Sequence, residues 1–364
     1  MNFPFKSKQF RAVVYAPLPP PPGGVVSINL LLRSTLDSPD IGFFTPINKY
    51  HNSFPFPLVL NIINLFLLVK AIFNTRKNAK ILFFSSEGFS FIEKSVWSLT
   101  VLLFRRSPVI FMVSGLFPSA WARSFSLVRH CLTFFINRPS ICVLSQSKSW
   151  KLYYSRLFPR CNHKLAPATV DLSFFSKRHK PVSICHKPKL SYVGWISIDK
   201  GIVDLLDALQ IVIQYYPSVS LDLIGPSFGS HEFWNNEIKI RHLSNNVNLL
   251  GSLNDRESLL SHLIDSSLFV FPSHFEGLPV SLIEALSLGL PCVATNAGGC
   301  SDVLDNGRAG IVVDVSCPDQ LALSIVKLLD SYELRCYYSR NAVNHFARTY
   351  TPSHFKSKFS DILL

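Results

Sequence analysis

Residues 271–289 have the sequence Phe-Pro-Ser-His-Phe-Glu-Gly-Leu-Pro-Val-Ser-Leu-Ile-Glu-Ala-Leu-Ser-Leu-Gly, and this segment is the most informative about the fold. An apolar strand ends at its start, a short loop carries Glu276, and a helix begins near Pro279, since proline suits a first helical turn. Gly289 is placed to end that helix as a C-cap, and the apolar run Pro291–Thr295 follows at once. The order strand, loop, helix, strand predicts one crossover unit of a parallel sheet.

The start of the predicted helix Val280–Leu288 is a candidate anion site. A first helical turn has unpaired backbone N–H groups and the positive end of the dipole, which together hold a phosphate. Gly277 lets the backbone approach a ligand closely. Glu284 lies among apolar neighbours, where a carboxylate needs partners such as the two hydroxyls of a ribose. The spacing fits a diphosphate at the helix start, a ribose at Glu284 and a sugar at Glu276; capping of an internal amide by Glu284 is the alternative that these residues leave open.

Short apolar strands alternate with helical stretches on both sides of this unit, which indicates parallel α/β architecture. We expect two doubly wound domains, over residues 1–172 and 190–347, joined by the polar, proline-bearing linker 173–189. The predicted strands of the first domain are Ala12–Ala16, Ile81–Ser85, Val109–Val113 and Ile141–Ser145, with a loop Pro17–Gly24 and a helix Val25–Leu36. The predicted elements of the second are Leu190–Gly194, Gly201–Tyr215, Leu221–Gly225, Val247–Gly251, Leu268–Phe271, Val280–Leu288, Cys292–Thr295 and Gly310–Val313, and Ser339–Leu364 is predicted to be helical.

The charge is distributed unevenly along the chain. Residues 1–180 contain 23 Lys and Arg against 5 Asp and Glu, a net +18, whereas the remainder has 13 against 18, a net −5. A basic, Phe-rich first half favours attraction to an anionic membrane or to an anionic lipid-linked substrate. Nucleic acid is the competing partner, but the basic residues are scattered and no nucleic-acid motif is present, so we expect none.

The longest apolar run, Phe54–Val69, is shorter than the ~20 residues that a membrane-spanning helix needs, and prolines and asparagines interrupt it. We expect a buried helix there; a helix lying in the membrane interface is the alternative, and the basic residues that follow suit either. Met1–Arg11 is polar and charged, so it does not resemble a secretory signal. The eight cysteines contain no CxxC pair, which favours free thiols over a zinc site.

The second domain resembles glycosyltransferase family 4, the large retaining GT-B family with a Glu-x7-Glu motif. The run Glu276-Gly-Leu-Pro, then Glu284-Ala-Leu, Gly289 and Pro291, followed by Ala297-Gly-Gly, is similar to the donor-site signature of that family. The resemblance covers Leu190 to about Val313 well and the first domain loosely. It implies two Rossmann-like domains that face a central cleft, with a final helix over about 348–364 packing back on the first.

The resemblance also implies roles for individual residues. Glu284 would bind the donor ribose, Glu276 would bind the sugar, and backbone amides around Gly277, Leu278 and Val280 would meet the diphosphate. The stretch Tyr192–Gly201 resembles a family loop in which Lys200 matches the lysine that neutralises the leaving diphosphate, which is reasonable because the departing group gains negative charge. Further donor contacts would come from Gly194 and Trp195 of that loop, from the glycine loop Gly23-Gly24, and from Ser252 near the nucleobase.

Three positions depart from the family pattern. Trp195 replaces the usual arginine of the Gly-Arg loop, which removes one of two cations at the diphosphate. Ser114 occupies the expected place of a histidine near the donor sugar, and Pro167–Asp171 replaces the Asn-Gly usually found before the linker. The second domain is therefore predicted to bind a donor, with these changes located at the cleft.

The activity implied by the resemblance is that of a retaining, metal-independent hexosyltransferase of polysaccharide biosynthesis, such as O-antigen, capsule or exopolysaccharide. It would move a sugar from a nucleotide-diphosphate sugar to a glycan or lipid-linked acceptor at the cytoplasmic membrane face. The nucleotide sugar is a co-substrate, and no cofactor or metal is expected; the chain has no Asp-x-Asp pair. The alternatives are a catalytically degenerate GT-B protein that binds nucleotide sugar or a partner enzyme, and a GT-B enzyme of another reaction such as an epimerase.

Overall fold

The structure is a computed structural model. It describes residues 9–16, 24–36, 38–46, 57–86, 89–113, 121, 126–170, 187–253 and 255–364. The chain forms two compact units: unit 1 comprises Met1–Ala168 and Ser353–Leu364, and unit 2 comprises Thr169–Pro352. The predicted linker 173–189 lies mostly outside the described residues, so the predicted domain boundaries and the cleft between the domains stay predictions.

Unit 1 contains a six-stranded parallel sheet in the order β2-β1-β3-β4-β5-β6. Its strands are β1 Phe10–Tyr15, β2 Ile41–Phe44, β3 Thr75–Ser85, β4 Ser107–Met112, β5 Cys142–Ser145 and β6 Asn162–Leu165. Its helices are α1 Gly24–Thr35, α2 Pro57–Phe73, α3 Phe89–Leu103, α4 Ser126–Ile136 and α5 Lys148–Leu157, and the last helix of the chain, α13 Pro352–Leu363, also lies almost entirely in this unit.

The strand order determines which face of this sheet each helix covers. The connection from β1 to β2 runs in one direction across the sheet, and all later connections run in the opposite direction. Because parallel crossovers are right-handed, α1 covers one face and α2, α3, α4 and α5 cover the other. The packing agrees: α2 and α3 bury Leu68 and Trp97 against β1 and β3, and Phe359 of α13 contacts Phe111 with ring centroids 5.6 Å apart.

Unit 2 contains a second six-stranded parallel sheet, in the order β12-β11-β10-β7-β8-β9. Its strands are β7 Lys189–Val193, β8 Ser220–Ile224, β9 Val247–Gly251, β10 Leu268–Phe271, β11 Cys292–Thr295 and β12 Ile311–Val313. Its helices are α6 Ile202–Tyr215, α7 His231–Ile240, α8 Arg256–Ile264, α9 Val280–Leu288, α10 Cys300–Val303, α11 Pro318–Asp330 and α12 Tyr332–Thr349, with single 3-10 turns at Ile198–Lys200 and Asp305–Gly307.

One buried polar group lies inside the unit 2 sheet. Asp222 of β8 is 3% exposed at its side chain and binds Lys189 Nζ at 2.9 Å, His262 Nδ1 at 3.1 Å and Asn248 Nδ2 at 2.8 Å. Burial by itself raises the pKa of this carboxyl, but the hydrogen bonds from Asn248, Lys189 and His262 outweigh it and hold the pKa below its ordinary value. The carboxylate therefore ties β7, β8, β9 and α8 together.

Three expectations about elements need correction. The strands β2 and β6 were not predicted: both are four-residue edge strands, and β6 has the polar sequence Asn-His-Lys-Leu. The predicted single helix Ser339–Leu364 is two helices, α12 and α13, because Pro352 lacks an N–H and disfavours helical backbone at the residue before it.

The third correction concerns the long apolar run. It forms α2, which is buried on one side only: Ile62 and Phe66 are 61% and 69% exposed. The expectation of a buried helix is therefore wrong for its outer side. Within the described ranges, none of the helices combines the length and apolar character needed to cross a bilayer.

Candidate functional site

Two loops of unit 2 bring together the predicted catalytic residues. The loop after β10 carries Glu276, and the turn before α6 carries Lys200; Lys200 Nζ lies 2.6 Å from Glu276 Oε1. Ser273 Oγ donates to the same oxygen at 2.8 Å, and Lys200 Nζ also approaches the Phe275 carbonyl at 3.4 Å. The side chain of Glu276 is 11% exposed. The carboxylate is thus held in a fixed orientation by one cation and one hydroxyl, beside the start of α9.

A second set of contacts fixes the two loops to each other. His274 Nε2 donates to Asp204 Oδ2 of α6 at 2.8 Å, and the His274 backbone N–H donates to the Asp199 carbonyl at 3.1 Å. Gly201 has φ +68°, and a Cβ there would lie 2.0 Å from the Pro272 carbonyl oxygen. Only glycine permits this approach. The distance between Lys200 and Glu276 is therefore determined by a braced pair of loops and not by their ion pair alone.

The predicted anion site at the start of α9 has the expected local geometry. α9 begins at Val280 after an N-cap residue, Pro279, whose side chain makes no capping hydrogen bond. The first-turn N–H groups are consequently not occupied by a capping side chain, as an anion site requires. Leu278 is buried and anchors the turn, while the Gly277 carbonyl accepts from the Gly299 N–H at 3.1 Å. The Gly298-Gly299 turn thus supports the loop from behind.

Glu284 lies on the first turn and a half of α9, and its carboxylate accepts no hydrogen bond from the described residues. Burial raises its pKa from 4.5 to about 7, and Arg256 at the start of α8 offsets part of that rise. A carboxylate with no internal hydrogen bond does not serve as an amide cap. Its environment is suited to a ligand that brings its own donors, such as vicinal hydroxyls.

The turn after β7 carries Gly194 and Trp195. Tyr192 is buried beneath it and donates from its hydroxyl to the Trp195 carbonyl at 2.8 Å. A Cβ on Gly194 would lie 2.6 Å from the Tyr192 hydroxyl, so the turn accepts only glycine at that position. The Trp195 side chain is 48% exposed. The turn therefore presents an indole where the family pattern has a cation.

Ser252 is exposed in the turn after β9, and the preceding residue, Gly251, accepts from the Gly225 N–H at 2.8 Å. The strand-end turns after β7, β8, β9 and β10 thus lie at the carboxyl edge of one parallel sheet, which is where ligands bind in open α/β folds.

Two predicted residues belong to unit 1. Gly24 is the first residue of α1, whereas Gly23 lies outside the described residues, as does Ser114. Of the stretch Pro167–Asp171, the structure describes all but Asp171, and Thr169 donates to the Tyr350 carbonyl. Their donor contacts stay predictions.

The buried thiols and carboxylates of unit 2 that the structure describes are not grouped as metal ligands. Cys300 begins α10 and is fully buried; burial raises its thiol pKa well above the ordinary value, and the nearby Glu276 raises it further. Among the described residues, no group of three or more His, Cys, Asp or Glu side chains is arranged to hold a metal ion.

Sequence reasoning missed four residues of this site: Ser273, His274, Asp204 and Tyr192. Ser273 and Tyr192 precede predicted residues by three and two positions, and both types donate hydrogen bonds, so their proximity was a usable signal. The pairing of His274 with Asp204 had none, because the two are 70 residues apart and meet only through the packing of the two loops.

Comparisons with known proteins bear on the family and on the fold. Residues 175–345 match the family model described as glycosyl transferases group 1. The chain is 29% identical over 169 residues to the capsular polysaccharide biosynthesis glycosyltransferase CapM of Staphylococcus aureus, covering 46% of this chain and 42% of CapM. It is 28% identical over 123 residues to the UDP-Gal:alpha-D-GlcNAc-diphosphoundecaprenol alpha-1,3-galactosyltransferase of Escherichia coli, covering 34% and 31%. The matched segments span less than half of these relatives.

A solved structure extends the similarity to the whole chain. Alr3699/HepE of Anabaena in complex with UDP-glucose superposes with a TM-score of 0.72 and 17% identity, covering 97% of this chain and 99% of that one. At this identity the likeness concerns the fold. The chain therefore has the two-domain GT-B fold, and its residues 175–345 match the group 1 glycosyl transferases.

Proposed function

We propose that the protein is a retaining glycosyltransferase that moves a hexosyl-type sugar from a nucleotide-diphosphate sugar to a glycan or lipid-linked acceptor. The observation that supports this most is the set of three groups around the start of α9: N–H groups without a capping side chain, the Lys200–Glu276 pair, and a Glu284 carboxylate that accepts no hydrogen bond from the residues that the structure describes. Each matches one part of a nucleotide sugar, namely diphosphate, sugar and ribose.

In this proposal the residues act on charge and orientation. The N–H groups of α9 and the ammonium of Lys200 stabilise the diphosphate as its negative charge grows during departure, without needing a divalent cation. Glu276 is held by Lys200 and Ser273 and orients the hydroxyls of the donor sugar. The acceptor attacks on the face from which the diphosphate leaves, so the anomeric configuration is retained.

A thermal-shift screen tests the donor site directly. The purified chain is heated with UDP, GDP, ADP and CMP and with their common sugar conjugates, beside Glu284→Ala and the exposed control Glu232→Ala from the same unit. A nucleotide at 100 times its dissociation constant stabilises the folded state by about 2.7 kcal/mol. One nucleoside diphosphate should raise the melting temperature of wild type and control but not of Glu284→Ala. Equal shifts in all three proteins would rule out Glu284 as the ribose ligand.

The stereochemistry needs a separate measurement. Once the base is known, slow hydrolysis of the matching nucleotide α-sugar can be followed by proton NMR. Front-face attack by water releases the α-anomer first, and the β-anomer grows in only by mutarotation. Release of the β-anomer first would contradict retention of configuration but would not contradict the proposed donor site.

We also propose that acceptor transfer takes place at the cytoplasmic face of an anionic membrane, in the synthesis of a polysaccharide such as a capsule, exopolysaccharide or lipopolysaccharide O-antigen. The similarity to CapM and to an enzyme whose name includes a diphosphoundecaprenol acceptor supports this, as does the net +18 of residues 1–180. Vesicle binding at low ionic strength that is lost on adding salt would agree with the electrostatic part, since exposed charges are screened within ~10 Å at 0.1 M salt.

Trp195 supports a second candidate, a GT-B protein that binds nucleotide sugar or a partner enzyme without transferring the sugar. The indole cannot supply the positive charge of the arginine that it replaces. The variant Trp195→Arg separates the two candidates. A transferase gains or keeps donor turnover with this substitution, whereas a binding protein shows nucleotide affinity and no turnover in either form.

A further inference from the structure

Four helices form one layer on the outer side of unit 1. Helices α2 and α3 pack Leu68 and Trp97 into one core, and α4 and α5 pack Ile136 and Tyr154 into the adjoining core. The crossover directions place all four on the same face of the sheet, and their other sides point away from it. We call the outward side of α2, α3, α4 and α5 the outer helix layer.

The outer helix layer exposes large apolar side chains on every helix. On α2 the exposed residues Ile62, Phe66 and Phe73 follow the spacing of one helical face, opposite to buried Leu68. Phe73 contacts Phe104, which follows α3, with ring centroids 5.5 Å apart. Leu103 at the end of α3 is 82% exposed and Phe134 of α4 is 71% exposed; Val96, Phe135 and Leu152 are also exposed. Single exposed apolar residues are ordinary, but such a series along adjacent helices indicates a contact surface.

Positive charge accompanies these apolar residues. The sequences of the four helices contain Lys70, Lys94, Arg129, Lys148, Lys151 and Arg156, against one acidic residue, Glu93. Glu93 and Lys94 are paired and are 8% and 14% exposed at their side chains, so this pair adds no net charge to the surface and the other five basic residues carry the positive charge. Exposed Arg76, Lys77 and Arg105 extend the positive charge at one end of α2 and α3, where Arg76 faces Asp40 at 3.8 Å.

A cavity of about 460 Å³ opens in the same layer. Arg129 and His130 of α4, Arg156 of α5 and the aromatic rings of Trp121 and Phe134 line it. Two guanidinium groups beside aromatic rings match a phosphate that is joined to an apolar chain, because guanidinium binds phosphate oxygens and the rings cover the adjoining carbon atoms.

We propose that the outer helix layer docks on an anionic lipid bilayer, with the phosphate of a lipid headgroup in the cavity beside Arg129 and Arg156. Protein interfaces are depleted in lysine, whereas surfaces that lie on membranes combine aromatic and aliphatic residues with lysine and arginine. The composition of this layer is of the second kind. This surface would make the contact with the anionic membrane proposed above, so the inference rests on that part of the proposed function. It does not depend on the donor site.

Vesicle co-sedimentation of the full chain tests the surface. The probe is phosphatidylglycerol mixed with phosphatidylcholine, compared with phosphatidylcholine alone, at low ionic strength. The double variant Phe66→Ser/Phe134→Ser removes two apolar contacts, and its control Ile240→Ser/Leu323→Ser removes two equally exposed side chains of unit 2. We expect wild type and control to bind only the anionic vesicles, and the double variant to bind at least roughly tenfold more weakly.

A charge-reversal pair tests the cavity. Arg156→Glu should weaken binding to the anionic vesicles at least roughly tenfold, because each basic residue near such a surface raises the affinity about fivefold and the substitution changes the charge by two units. Lys327→Glu in unit 2 should leave this binding unchanged. Inorganic phosphate is the probe for a soluble ligand. If phosphate raises the melting temperature of wild type but not of Arg156→Glu, and vesicles do not bind, the cavity is a site for a soluble anion and the proposal is overturned.

A dye on Cys131, an exposed thiol of α4, reports whether this surface enters the bilayer, and vesicle binding of the labelled protein is compared with that of the unlabelled protein. The label is placed in a background in which Cys185, Cys317 and Cys336 are serine. We expect a blue shift of its emission on adding anionic vesicles and none with phosphatidylcholine. Vesicle binding by wild type without a blue shift, or binding by the double variant that is as strong as that of wild type, would overturn the assignment of this surface. Neither outcome would contradict the membrane as a partner. Nucleotide-induced thermal shifts, measured on the same samples, report the donor site separately.

Discussion

At the scale of single residues, Glu284 has the most consequential chemistry. Its pKa of about 7 means that the folded protein keeps a proton on this carboxyl over a range in which the unfolded chain has lost it. Between about pH 4.5 and pH 7 the native state therefore binds more protons than the unfolded state, so this group lowers the free energy of unfolding as pH rises. If Glu284 is the ribose ligand proposed above, its burial costs stability when no nucleotide is bound.

We predict that Glu284→Gln is more stable than wild type at pH 8 and about equally stable at pH 4.5. The amide does not ionise, so its burial does not become more costly as pH rises. Thermal unfolding of both proteins across this range measures the effect. Parallel pH profiles for the two proteins would contradict the raised pKa.

The same variant should lose nucleotide binding. A charged carboxylate that accepts two hydroxyl hydrogen bonds contributes more than an amide, by about 1.5–3 kcal/mol for a bond to a charged group, so affinity should fall at least tenfold. Wild-type affinity should in turn weaken as pH falls below about 7, because the protonated carboxyl accepts fewer hydrogen bonds. Titration calorimetry at two pH values checks both statements.

At the scale of elements, the contacts between the β10 loop and α6 fix the positions of Lys200 and Glu276, the proposed catalytic residues. We predict that His274→Ala weakens nucleoside diphosphate binding several-fold. Without the hydrogen bond to Asp204, the turn that carries Lys200 is no longer held against the loop that carries Glu276. His274→Gln, which can still donate to Asp204, should recover part of the affinity. His231→Ala, at an exposed position of α7, is the matched control. Equal losses for His274→Ala and His274→Gln would show that packing, and not the hydrogen bond, matters.

The polar group inside the second sheet determines acid stability. Asp222 has a pKa below its ordinary value, so its contribution to stability is present above about pH 4 and is lost as pH falls through the native pKa. We predict that Asp222→Asn lowers the free energy of unfolding at pH 7 by about 2–4 kcal/mol, because the Lys189 ammonium loses its buried charged partner. The difference from wild type should shrink below pH 4. Urea unfolding at both pH values measures these free energies. Asp319→Asn, at an exposed position, should leave the free energy of unfolding unchanged at both.

At the scale of the whole molecule, α13 completes unit 1. Its residues Phe355, Phe359, Ile362 and Leu363 are buried, and Phe359 contacts Phe111 of β4. We predict that a chain ending at Pro352 loses the thermal transition of unit 1, since removing several buried large side chains costs a few kcal/mol each. The nucleotide-induced shift of unit 2 should persist, because Lys200, Glu276 and Glu284 all lie within Thr169–Pro352. Removal of Leu364 alone is the control; loss of both responses in the Pro352 chain would contradict this independence.

Much of this architecture follows from local sequence. The helix bounds Val280–Leu288 are as predicted, since Pro279 and Gly289 specify both ends. The sequence pattern does not predict β2 and β6, because edge strands of four residues need few apolar side chains, as Asn162–Leu165 illustrates. The end of α12 before Pro352 follows from the chemistry of proline, and the prediction of a single helix over Ser339–Leu364 did not take it into account. In the site, Lys200 and Glu276 could be paired by resemblance, whereas His274 and Asp204 meet only because Gly201 approaches Pro272, a contact that no local pattern encodes.

The return of α13 to unit 1 has a consequence for synthesis on the ribosome. Unit 2 is inserted between two segments of unit 1, so the inserted unit is complete in the nascent chain before its host is. Unit 1 stays incomplete, with the Phe111 side of its sheet uncovered, until Ser353–Leu364 has left the ribosome. A chaperone that binds aromatic surfaces could bind unit 1 during this interval. A recombination event that exchanges unit 2 between relatives must keep the segment after it for the recombinant protein to fold.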